Sequence, residues 1–128
     1  MAGDGSVQAH LDLSQEFLSS ASRSLSAGEL APDRFMCVHA LELAVKAALA
    51  AALGHVPRTH NVGGEFGKHF REKVGSDAAR RINRILSDYD GPRYPDWEPP
   101  EAAELASDLE FVRDVVTVLV PRLVEGNR

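Results

Sequence analysis

The sequence predicts an all-α protein, an up-and-down antiparallel bundle of four long helices plus one short helix. Two patterns and the composition predict it. Asp33 to Leu53 is apolar on almost every side, which describes a helix enclosed by other helices. The flanking segments repeat their apolar residues at helical spacing, and no segment alternates as a strand does. The composition of 128 residues, 44% hydrophobic and 26% charged, suits one ordinary globular core. Aromatics are only 6%, and the surplus of Ala and Leu suits closely packed helices.

In the central segment only His39, Glu42 and Lys46 break the apolar surface, and at 100° per residue they share one narrow sector. Glu42 and Lys46 form an i,i+4 pair in the favourable order. Three ionisable groups in mid-segment, with no second apolar stretch of that length, argue against a membrane span.

Before this rod, Val7, Leu11, Phe17, Leu18, Ala21 and Leu25 mark an amphipathic helix that Ser6 could cap and Gly28 ends. Pro32 falls in the first turn of the central helix, where its missing N–H is harmless, and Gly54 closes that helix. Pro57 interrupts the link that follows. A shorter helix carries Phe66, Phe70 and Val74, and Gly63, Gly64 and Gly67 should weaken its first turns. Gly75-Ser76-Asp77 stops it and opens a helix striped by Ile82, Ile85, Leu86 and Tyr89. A stiff, proline-rich loop covers 90–100. The last helix places Ala102, Leu105, Leu109, Val112, Val116 and Leu119 on one face, and Pro121 should end or kink it. Residues 1–128 therefore form a single domain, with 1–6 and 125–128 as flexible ends.

The formal charge of −5 argues against general nucleic-acid adhesion. It is unevenly placed, with seven basic and four acidic residues in 68–93, so a local basic patch is expected there. The single cysteine, Cys37, lies in the central helix and can form no internal disulfide. The opening MAGDGSVQ has neither a basic n-region nor an apolar h-region, which predicts a cytoplasmic protein.

His55, His60 and His69 share one loop and the helix after it, but their spacing matches no zinc pattern and recruits no cysteine, so no metal is expected. GGEFG at 63–67 lacks the preceding strand and the Gly-Lys-Ser/Thr ending of a phosphate loop. No GxSxG element is present. Two arginine-centred arrangements remain, because a guanidinium suits a phosphate and a histidine can move protons. Arg34 and His39 lie five positions apart, and on a helix their side chains diverge by roughly 140°. Arg80, Arg81 and Arg84, followed by Tyr89, Arg93, Tyr94, Asp96 and Trp97, gather cations and aromatics at the end of the fourth helix. Asp77 with Arg81 and Arg84 with Asp88 are expected as i,i+4 ion pairs.

The buried helix opening with Asp33-Arg34-Phe35, the link Pro57-Arg58-Thr59-His60, the Phe66–Phe70 helix, the Arg84–Tyr89 segment and Arg93-Tyr94-Pro95-Asp96 resemble a HEPN domain (higher eukaryotes and prokaryotes nucleotide-binding), of the small stand-alone prokaryotic type. The resemblance implies an antiparallel bundle that is commonly dimeric, with a cleft at the dimer interface. No cofactor is expected. The resemblance also implies a minimal nucleotidyltransferase as partner, often in a toxin–antitoxin pair, and nucleotide binding in related domains. Many HEPN toxins are metal-independent endoribonucleases with an Arg-x4-6-His motif late in the domain. In this chain the last histidine is His69, and Tyr89 stands where that histidine is expected; a phenol is a poor proton acceptor at neutral pH.

Two functional expectations follow. The preferred one, because the motif is missing, is a non-catalytic homodimeric module that binds a nucleotidyltransferase partner, a nucleotide or RNA through Arg80, Arg81, Arg84, Tyr89, Arg93, Tyr94, Asp96 and Trp97, with no membrane involved. The alternative is a metal-independent ribonuclease toxin using Arg34, His39, His60 and Arg84.

Overall fold

The computed structural model describes residues 4–127, which are helical with no strands. Helix α1 (Asp4–Ser26) and helix α2 (Leu30–Leu53) lie side by side along most of their length. Their hairpin turns at Gly28, whose φ of 76° is a conformation glycine adopts without a Cβ penalty. Helix α1 starts at Asp4, so Ser6 is inside it, and the Ser6 carbonyl lies 2.8 Å from His10 Nδ1. Residues 1–3 and 128 of the expected flexible ends lie outside the described residues; Gly126 and Asn127 bond back to the Arg122 and Val124 carbonyls of the last helix.

Helix α2 is the axis of the bundle. Its run from Cys37 to Ala50 is almost wholly buried, with Val38, Ala40, Leu41, Ala44, Val45 and Ala47 to Leu49 at 1% exposure or less. The helix is long and apolar enough to cross a membrane, but in this fold its surface is taken up by helix packing. Small alanines let α1 approach closely enough for buried Ser14 to donate its Oγ–H to the Ala40 carbonyl at 2.6 Å. The Cys37 thiol is pushed up to about 12 by burial and then by Asp33, and stays inert.

Helix α3 (Gly63–Val74) and helix α4 (Ser76–Leu86) form a short pair, 12 and 11 residues long, joined at Gly75. Phe66 and Phe70 from α3, with Ile82 and Ile85 from α4, close the core over α2. The glycines of α3 do more than weaken it. A Cβ on Gly63 would run into the Asn83 side chain and stand 3.1 Å from the Asn83 Cα, so the start of α3 rests directly on α4.

A 3₁₀ turn (Gly91–Arg93) breaks up the proline-rich loop, and Trp97 packs where a Cβ on Gly91 would be. The final helix is α5 (Ala102–Asp114), a π turn (Val115–Leu119) and α6 (Val120–Glu125) in succession. Pro121 therefore neither ends nor breaks it. The Val120 N–H bonds the Val115 carbonyl, five residues back, and the wider π turn absorbs a proline that lacks a donor and crowds the preceding turn.

The glycines differ in a measurable way. Gly63→Ala should destabilise the fold by about 1–3 kcal/mol through overpacking, whereas Gly67→Ala, with open space around its Cβ, should stabilise it by about 0.5–1 kcal/mol. Urea denaturation of both variants checks this.

Candidate functional site

Two layers of side chains meet where the starts of α2 and α5 approach the end of α4. The inner layer is ionic. Arg34 is 2% exposed, and its Nε–H donates to Asp88 Oδ2 at 2.8 Å while Nη1 donates to Asp108 Oδ2 at 2.9 Å. Asp108, equally buried, also accepts from Arg84 Nη2 at 2.9 Å and Arg81 Nη2 at 3.1 Å. One carboxylate thus serves three guanidiniums.

Burial opposes charge on both central groups, and the partners outweigh it. Desolvation alone would lower the pKa of Arg34, but hydrogen bonds to Asp108 and Asp88 raise it above the ordinary arginine value. Desolvation would raise Asp108, but bonds from Arg84, Arg34 and Arg81 hold it below the usual carboxylate range. Neighbouring Asp33 has no such partners. Its Oδ1 is buried without a hydrogen bond, and burial, offset in part by Arg34, lifts its carboxyl to about 6. Since its folded pKa exceeds the unfolded one, Asp33 favours the fold at low pH and loses that contribution as pH rises through about 6.

These contacts replace the ion pairs expected from spacing. Asp77 pairs with Arg80 instead of Arg81, and Asp88 pairs with Arg34 instead of Arg84. Exposed i,i+4 pairs are worth little, so the buried Asp108 carboxylate draws Arg81 and Arg84 across to α5. The Arg81 guanidinium also stacks 4.5 Å over Phe111.

The outer layer is aromatic. Tyr89 stands between two imidazoles, His60 at 4.4 Å and His39 at 5.8 Å between ring centroids, both close to parallel with it. His39 stacks on Phe35 at 4.4 Å and meets Phe17 edge-on. Arg93 lies 4.6 Å over the Tyr89 ring and 5.3 Å from Phe35, and donates to the Tyr89 hydroxyl at 3.1 Å. Glu42, 6% exposed, ties the link to the axis, accepting from Lys46 at 3.0 Å and lying 2.9 Å from His60 Nδ1. Burial lowers the pKa of His39, with Arg93, His60 and Lys46 adding to it against Glu42, and its Nδ1 has no hydrogen-bond partner. His39 is thus held neutral as a stacking ring.

Beside this layer opens a cleft of about 540 Å³ between the 59–61 link and the end of α4. Tyr89 and Leu86 give it an apolar side, and Thr59, Asn61, Ser87 and Asp90 give it polar groups. The His60 side chain is 58% exposed, so the ring face turned from Tyr89 is open.

Of the predicted residues, His39, His60, Tyr89 and Arg93 come together at this corner. Arg34 does not join His39; the two diverge, one into the carboxylates and one into the rings. Arg81 and Arg84 are bound to Asp108, and Arg80 stands apart with Asp77. Tyr94 is 59% exposed, Asp96 is exposed, and Trp97 is half-buried against Gly91. Among the described residues no group of three or more His, Cys, Asp or Glu could hold a metal ion. Sequence reasoning missed Asp108, Phe35 and the cleft-lining Thr59, Asn61 and Ser87. Asp108 carried a signal, since it occupies the apolar stripe of α5 between Leu105, Leu109 and Val112, where an acid implies a buried cation.

A HEPN domain model matches residues 7–123, and the chain belongs to the HEPN family. That family places it among nucleotide-binding or ribonuclease-like helical modules. The crystal structure of TT1696 from Thermus thermophilus is similar in fold, with a TM-score of 0.72 at 22% identity, covering 95% of this chain and 98% of that one. No curated protein matches.

Replacing Arg34 by Met should cost about 3–5 kcal/mol, because it leaves Asp108 buried and short of a partner. Thermal and urea unfolding check this, and Arg80→Met, at an exposed pair, should change stability by less than about 1 kcal/mol.

Proposed function

We propose that this protein is a non-catalytic binding and assembly module that takes a nucleotide in the cleft beside His60 and Tyr89, and that works in the cytoplasm as a homodimer with a minimal nucleotidyltransferase as partner. The observation that carries the reading is the open imidazole face of His60, backed by Tyr89 and bordered by Thr59, Asn61 and Ser87. A nucleobase stacks on such a face and finds hydrogen-bonding groups at its edge. Tyr94, a large exposed aromatic on the neighbouring loop, is suitable material for a protein interface.

Ribonuclease chemistry is not our reading. Arg34 and Arg84 are engaged by carboxylates, and a guanidinium so engaged has fewer donors to offer a phosphate. His39 is enclosed among rings.

Calorimetric titration with adenosine and AMP tests the reading. Saturable binding is expected, weakened about tenfold by His60→Ala or Tyr89→Ala through lost stacking. Absence of binding to either compound would overturn it.

A further inference from the structure

The cations that the sequence gathers into 68–93 do not act as one patch. Arg81 and Arg84 turn to Asp108, and Arg93 lies over Tyr89. What remains is on the other side of the α3–α4 pair. There a groove of about 290 Å³ runs between the two helices. Gly63, Gly64, Gly67 and Ala79 form its floor, and none of them raises a side chain larger than a methyl group. Lys68 and Arg71 from α3 and Arg80 from α4 stand around it, with the Asn83 amide at the end where Gly63 rests on α4.

Three features make this more than exposed surface charge. The cations come from both helices and line one depression, which contains no carboxylate. Lys68 and Arg71 have no ion-pair partner among the described residues, and the acid nearest in role, Asp77, is taken by Arg80. The groove's width is fixed, because the Gly63–Asn83 contact sets how closely the helices approach. An anion entering it meets two unneutralised donors without displacing an existing pair, in a chain whose net charge is −5.

We propose that the α3–α4 groove is a phosphoryl-binding site, with Lys68 and Arg71 as its principal donors and Arg80 and Asn83 as supporting ones. A free oligophosphate and the phosphate tail of a nucleotide both carry the chemistry that fits it. The site stands on different residues from the cleft beside Tyr89 and does not depend on that cleft being occupied.

Calorimetric titration with tripolyphosphate, ATP and adenosine tests it, on the wild type and on Lys68→Ala, Arg71→Ala and Lys73→Ala. All three side chains are exposed, so the fold should survive, and circular dichroism melts verify this. Tripolyphosphate should bind saturably and weaken about tenfold or more on loss of Lys68 or Arg71, with Lys73→Ala close to wild type. If ATP weakens in parallel, its tail uses the groove; if only tripolyphosphate does, the groove takes free oligophosphate. No saturable tripolyphosphate binding, or an equal loss in Lys73→Ala, would overturn the proposal. Adenosine reports on the cleft alone, so failure there is distinguishable from failure of the groove.

Discussion

Arg34 lies inside a helical bundle at 2% exposure, and a guanidinium is stable there only while Asp88 and Asp108 accept its hydrogen bonds. That requirement joins three elements distant in sequence. Asp88 fixes where the chain leaves α4, and Asp108 fixes the face that α5 turns to α2. Arg81 and Arg84 follow, because a buried carboxylate with a single cation would be short of partners. The orientation of the α4 end, and hence of Tyr89 beside Asp88, is thus a consequence of where one buried charge finds its counter-ions.

The corner is built outward from that constraint. With Asp88 held, Tyr89 falls between His39 on the axis helix and His60 on the link, and Glu42 keeps His60 in reach from below. Each ring has a polar tether or a second ring behind it, so the open face of His60 is presented by a fixed layer of neighbours. Such pre-ordering lowers the entropy that a bound ligand would have to remove. The α3–α4 groove has a separate origin, in the contact of Gly63 with Asn83, and α4 is the one helix that borders both features.

The helices were legible in the sequence because their signals are local. The apolar run around α2, the stops at Gly28, Gly54 and Gly75 and the stripe of α4 each depend on neighbours within a turn or two. The site was legible only in its residue types. Tyr89, His60 and Arg93 stand out as candidates, but the stacking of Tyr89 on His60 and His39 joins positions 29 and 50 residues apart, and periodicity does not encode that. The ion pairs were misread for the same reason. Spacing offers Arg84 its helical neighbour Asp88, whereas packing gives Asp88 to Arg34 and offers Arg84 the more deeply buried Asp108, where low dielectric makes the pair stronger. Pro121 shows the reverse error, where a strong local breaker is accommodated by a π turn inside a helix that packing holds in place.

The most direct test is the effect of Asp88→Ala on the aromatic layer, read by nuclear Overhauser contacts between the Tyr89 ring and the rings of His39 and His60. If the buried ion cluster positions this corner, those contacts should weaken or vanish while far-UV circular dichroism keeps its helical signal. Unchanged ring contacts in the variant would show that the corner is set by ring packing alone, and would contradict the organising role of Arg34.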